Sequence, residues 1–145
     1  MPEIEWYHYV IVAVIIIGGV SAYLWHSSLE HIPNVKFVDN SPASQPIPKG
    51  TTTSILVNVK NWENKTIDNI SIKTTFDKPD PNYLVINNPE ITLGSMGAHA
   101  SSQDEYVNFF AKNVTGSSIT FKGIIAIYVG DKNTDSKNIT FNVIP

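Results

Sequence analysis

The sequence predicts an all-β sandwich preceded by one N-terminal transmembrane α-helix. Three observations predict it: a twenty-residue apolar run near the start, a change to period-two alternation after Gly50, and clusters of Asn, Asp, Pro and Gly between the alternating runs. A chain of 145 residues is one domain of ordinary size, or a small domain with something attached. Charged residues make up 16% of it and apolar residues 42%, where a soluble domain carries roughly a quarter charged. Part of the apolar fraction is therefore expected outside a globular core. There is no Cys, which excludes disulfide scaffolds, thiolate metal sites and thiol nucleophiles. All ten basic residues are Lys and the net charge is −3, so bidentate guanidinium recognition is absent and a nucleic-acid partner is not expected.

The N-terminal element comes first. Residues 1–5 form a stub expected in the cytoplasm, and residues 6–29 the spanning helix. From Trp6 to Trp25 the chain carries no Asp, Glu, Lys or Arg, and at about 1.5 Å per residue it covers roughly 30 Å, the depth of a hydrocarbon core. Trp6, Tyr7 and Tyr9 stand at one end and Tyr23 and Trp25 at the other, as amphipathic rings do at two headgroup levels. The start Met-Pro-Glu-Ile-Glu lacks the basic residues of a cleaved signal peptide, so an uncleaved anchor is expected. Gly18 and Ala22 lie four apart, with Val14 on the same stripe, and small residues at that spacing let a second helix approach closely. Charge does not orient the helix, because Glu3, Glu5 and Glu30 flank it and Lys36 is the first cation. An extracytoplasmic C-terminal domain is expected instead from its Thr-, Asn- and Ser-rich composition and from four Asn-X-Ser/Thr triplets. These are at Asn64, Asn69, Asn113 and Asn138, each a candidate N-glycosylation site.

Residues 30–50 read as a stalk or linker, with a first short strand possible at Val35–Val38. Pro33 stops helix propagation, and Pro42, Pro46 and Pro48 favour an extended connector, either a stalk or the crossing between strands of a sandwich. Residues 51–145 then supply the strands. Ser54 to Lys60 points Ile55, Val57 and Val59 inward, and Asp68 to Phe76 does the same with Ile70, Ile72 and Phe76. Tyr83 to Ile86 and Glu90 to Leu93 are short. Glu105 to Ala111 buries Val107 and Phe109, Ser118 to Val129 presents Phe121, Ile125 and Ile127, and Asn138 to Ile144 presents Ile139, Phe141 and Val143. Seven or eight strands in such a length, without a Cys pair, is the pattern of an Ig-like (immunoglobulin-like) β-sandwich.

The stretches Ser54–Asn61, Ile67–Ile72, Ile91–Ala98 and Gly123–Gly130 resemble the Ig-like modules of exported bacterial and archaeal proteins, of the CARDB or adhesion type. That resemblance implies a non-catalytic binding or scaffolding domain outside the cell. One further feature bears on partners. In the run ending at Val129 the second face turns apolar at Ile124, Ala126 and Tyr128, while Tyr106 and Phe110 do the same in another strand. If the two strands pair, Tyr106, Phe110, Ile124 and Tyr128 form one partner surface, since large exposed apolar patches are uncommon on monomers; a covering loop from the same domain is the other explanation.

Catalytic chemistry is not expected. His26 and Glu30 share a helical face with His31 nearby, yet a metal site needs further ligands. His8 is an interfacial side chain, and His99 has no carboxylate at triad spacing. The loops at Asp77–Asn82 and Asp131–Asp135 suit turns better than calcium. No cofactor or metal is expected, and the chain is read as no enzyme. The expected function is an accessory or structural subunit of a membrane protein complex, partnered by other membrane subunits and by the bilayer, an archaeal ammonia monooxygenase being one candidate by analogy. A filament subunit similar to type IV pilins, and a surface-anchored binding or adhesion module, are the alternatives.

Overall fold

The computed structural model describes residues 13–19, 31–38, 44–113 and 115–145. The chain divides into two compact units, Met1–Ile32 and Pro33–Pro145. In the first, residues 13–19 are helical. No helix among the described residues is long and apolar enough to cross a membrane. Most of the expected 6–29 span, including both aromatic belts and Ala22, lies outside the described residues, as do His8, His26 and Glu30.

The second unit is built of ten strands: β1 Val35–Phe37, β2 Ser44–Pro48, β3 Thr52–Val57, β4 Val59–Asn61, β5 Ile67–Phe76, β6 Leu84–Ile86, β7 Glu90–Met96, β8 Glu105–Ala111, β9 Ile119–Val129 and β10 Lys132–Ile144. One sheet has the order β2-β10-β9-β5-β7, and a second has β3-β8-β6. β4 follows β3 after a break at Asn58 and pairs with β1, so that β1 continues the second layer. The alternation dictates which side chains meet. β5 and β9 turn Ile70, Ile72, Phe121, Ile125 and Ile127 inward, and β3 and β8 answer with Ile55, Val57, Val107 and Phe109, all buried. Phe109 of β8 packs against Phe141 of β10 with ring centroids 4.4 Å apart and the rings tilted by 50°, and Phe76 of β5 joins both. Aromatic rings thus bridge the two sheets at the centre of one shared core.

Gly123 is required where β9 passes β5. A Cβ at that position would sit 2.3 Å from the Thr75 carbonyl oxygen and 2.8 Å from the Phe76 ring, so only hydrogen fits beneath the neighbouring strand.

The strand allowed for at Val35–Val38 is β1, which pairs antiparallel with β4. The expected stalk is corrected beyond it: the proline-rich stretch carries β2, which pairs parallel with β10 and belongs to the sandwich. Prolines are compatible with β2 because it is an edge strand. Ile47 is fully buried between Pro46 and Pro48, and the Lys49 N–H donates to the Ile144 carbonyl, so the odd-numbered residues face β10 while the missing proline donors turn to the open side. β10 is also longer than expected. Its polar first half, Lys132 to Lys137, pairs with the end of β9 across a bulge between Asn133 and Asp135.

Candidate functional site

Two features of the sandwich are candidate sites, its outer sheet faces and one of its ends. On the outer face of the five-stranded sheet, Ile124, Ala126 and Tyr128 of β9 are flanked by Asn138, Ser136 and Asn133 on β10 and by Thr75, Lys73 and Ser71 on β5. The Lys73 ammonium lies 5.0 Å from the centre of the Tyr128 ring, and Ala126 is buried. On the outer face of the other layer, Tyr106 and Phe110 of β8 lie opposite Leu56 and Thr52 of β3, and Phe110 also opposes Val85 of β6.

The expected single partner surface is therefore corrected. Its four residues sit on opposite outer faces, because β8 pairs with β3 and β6 while β9 pairs with β10 and β5. Tyr106 is 49% exposed and Ile124 37% exposed, with Phe110 and Tyr128 half-buried. Asn88 finishes the margin of β8: its Oδ1 accepts the Asn108 N–H at 2.8 Å and its Nδ2 donates to the Tyr106 carbonyl at 2.7 Å. The carboxamide occupies ladder positions that β6, only three residues long, does not reach.

The end of the sandwich where the chain enters at Pro33 is organised by Asn61, which is fully buried. Its Nδ2 donates to the carbonyls of Lys65, Met96 and Gly97, two protons being shared among three acceptors, and its Oδ1 accepts the Glu63 N–H. One side chain thus ties the β4–β5 turn to the β7–β8 turn. The same turns are joined again where the His99 N–H meets the Glu63 carbonyl and His99 Nε2 lies 2.7 Å from Asn64 Oδ1. His99 has φ +57, a left-handed conformation that His tolerates in a turn. Above this hub, Lys60 and Trp62 alternate outward. The Lys60 ammonium is 4.0 Å from the Trp62 ring centre, and Lys36 stands directly opposite Lys60. Trp62 is 47% exposed although it follows a buried residue. Sequence reading missed it; the alternation Lys60-Asn61-Trp62, with Asn61 inward, is the signal that finds it.

The remaining expected positions are distributed around the molecule. Asn64, Asn69, Asn113 and Asn138 are all exposed, and Asn69 has φ +57 where β5 bulges against β7. Val14 is exposed, and nothing lies within 4 Å of a Cβ built at Gly18. No group of three or more potential metal ligands occurs among the described residues. An apolar groove of about 490 Å³ opens between the end of β5 and β6, lined by Phe76, Pro79, Pro81, Leu84, Val85, Ile86 and Pro89 together with Thr74 and Thr75. Thr74 Oγ1 is buried there without a hydrogen-bond partner.

No known protein family and no curated protein sequence matches the chain. Among solved structures it is similar to alpha-2-macroglobulin from Escherichia coli, with 13% identity over 80% of this chain and 17% of that one and a TM-score of 0.55. It is also similar to the class 5 fimbriae chaperone CfaA (16% identity, 77% of this chain and 56% of that one, TM-score 0.47). A PapD-like domain of human CEP192 is a third (10% identity, 81% and 94%, TM-score 0.47). The chain spans a little over half the length of the fimbrial chaperone. The likeness to the macroglobulin shows the fold alone, an all-β sandwich.

Proposed function

We propose that this protein is a non-catalytic binding module held at a membrane by its N-terminal apolar segment, with its sandwich on the extracytoplasmic side, and that it serves as an accessory subunit of a membrane protein complex. One observation carries the reading. Val14, Ile15, Ile16 and Ile17 follow one another in a helix and are each 58 to 68% exposed. Successive helical residues turn by about 100°, so four in a row leave no polar side to face water. A helix apolar all round needs lipid or protein around it. The sandwich adds to this two outer faces bearing exposed apolar side chains. An ammonia monooxygenase subunit is one instance of the reading; neither the fold nor the similar structures point to that complex or to an archaeal source.

The test is membrane partition of the full chain. The protein is expected to remain with membranes through alkaline carbonate washing and to need detergent for release. A full-length product that is soluble and monodisperse without detergent overturns the reading. Mild-detergent purification followed by mass spectrometry is then expected to recover multispan partners in fixed ratio, and recovery of the chain alone or as long polymers argues against the subunit role.

A further inference from the structure

We infer that the end of the sandwich formed by Asn34, Lys36, Lys60, Trp62 and Lys65 is a docking surface for anionic lipid headgroups. The inference rests on the membrane anchor proposed above and adds to it a second contact, made by the folded domain itself. The anchor is expected to end at residue 29 and β1 begins at Val35, so five residues join them. Fully extended, five residues reach under about 20 Å. The Trp62 N–H donates to the Asn34 carbonyl, and the Asn34 N–H donates to Glu63 Oε1, which ties Trp62 to the first residues of the unit.

The chemistry at this end suits a headgroup layer. Lys36 and Lys60 are directly opposed on paired strands, an arrangement unfavourable in isolation because like charges face one another. An anionic surface turns that repulsion into attraction. Lys65 adds a third cation, exposed in the next turn, and the acids near this end are already engaged by backbone donors, Glu63 by the Asn34 N–H and Asp135 by the Phe37 N–H. Trp62 supplies an amphipathic ring of the kind that settles at headgroup depth, with the Lys60 ammonium against its face. A lone exposed Trp among lysines makes a poor dry core for a protein interface, where charged residues are depleted. It matches the mixture of charge, dipole and hydrocarbon at a lipid surface.

The experiment uses the full chain with Trp6→Phe and Trp25→Phe, leaving Trp62 as the only Trp, reconstituted in vesicles of phosphatidylcholine with or without phosphatidylglycerol and with brominated acyl chains. Flotation with the vesicles reports the anchor separately. The expected result is a blue shift and quenching of Trp62 emission in the anionic vesicles, with most of that quenching lost on combining Lys36→Gln, Lys60→Gln and Lys65→Gln. These positions carry no hydrogen bond of the hub through their side chains, and circular dichroism checks the fold. Protein that floats while Trp62 stays unquenched in both vesicle types overturns the docking surface and leaves the anchor standing. Protein that does not float overturns the anchor. Trp62 shielded only on adding a protein partner also overturns the lipid assignment.

Discussion

The two outer faces of the sandwich are built from the same alternation and end up unlike one another. On the five-stranded sheet, β9 lies between two strands whose outward residues are polar, so Ile124, Ala126 and Tyr128 form a single apolar file, with Lys73 laid toward Tyr128. On the other layer, β8 lies between strands that also contribute outward apolar residues, Leu56 and Val85, so Tyr106 and Phe110 belong to a wider field divided by Asn108. The Asn108 carboxamide is itself held by the Ser54 hydroxyl at 2.6 Å. Outward character is thus decided by a strand's neighbours as much as by the strand.

The strongest way to break the comparison is through what lies beneath the first face. Gly123→Ala places a methyl group against the backbone of Thr75, where no rotamer change relieves the overlap. A loss of about 3 kcal/mol or more is expected from overpacking at this crossing, read as a fall in the denaturation midpoint. A loss below about 1 kcal/mol means that β5 and β9 separate easily, and that the first face is no more rigid than the second.

The length of β8, the start and end of β9 to within a residue, and the inward residues of β3, β5, β8 and β10 are legible in the sequence, because period two on a half-buried strand is a direct record of which side meets the core. Lateral order leaves no such record. Nothing in the alternation of Glu105–Ala111 and Ile119–Val129 says that they belong to different layers, which is why Tyr106 and Phe110 were expected beside Ile124 and Tyr128. β2 was hidden for a different reason: Pro46 and Pro48 argue against a central strand, and its one core residue, Ile47, shows no alternation of its own. The hub at Asn61 was hidden because a polar residue at a core position gains its place only from carbonyls contributed by a turn 35 residues away.

A smaller effect sharpens the second face. Asn88→Ala removes both hydrogen bonds with which the carboxamide completes the margin of β8. The expected cost is about 1–2 kcal/mol, the usual range for two partly exposed bonds, and backbone amide exchange at Asn108 is expected to accelerate. An unchanged exchange rate at Asn108 shows that the strand margin is closed by something other than this side chain.

Partner contact separates the faces without relying on stability. Tyr106→Lys alters an exposed residue and is expected to shift stability by no more than about 0.5 kcal/mol, as surface substitutions commonly do, whereas Tyr128→Lys also loses the Lys73 contact and is expected to cost about 1 kcal/mol. Recovery of partners in a mild-detergent pull-down is the measurement. The wider apolar field and greater exposure around Tyr106 lead to the expectation that its variant loses more partner than the Tyr128 variant. The reverse order assigns docking to the five-stranded sheet, and equal, undiminished recovery from both removes the outer faces from the interface.

The smallest effect concerns how the first face is covered. The Lys73 ammonium over the Tyr128 ring is an exposed cation–π pair, worth about 0.5–1 kcal/mol, and the two residues lie on paired strands close to a directly opposed position, Ser71 to Tyr128 and Lys73 to Ala126. Lys73→Ala alone mixes the loss of that contact with the uncovering of Ala126, so the double-mutant cycle with Tyr128→Ala is the informative measurement. A coupling of a few tenths of a kcal/mol or more, surviving in high salt better than a surface ion pair does, is expected if the lysine shields the ring. Zero coupling means that Lys73 leaves Tyr128 open, and the two faces then differ only in the width of their apolar fields.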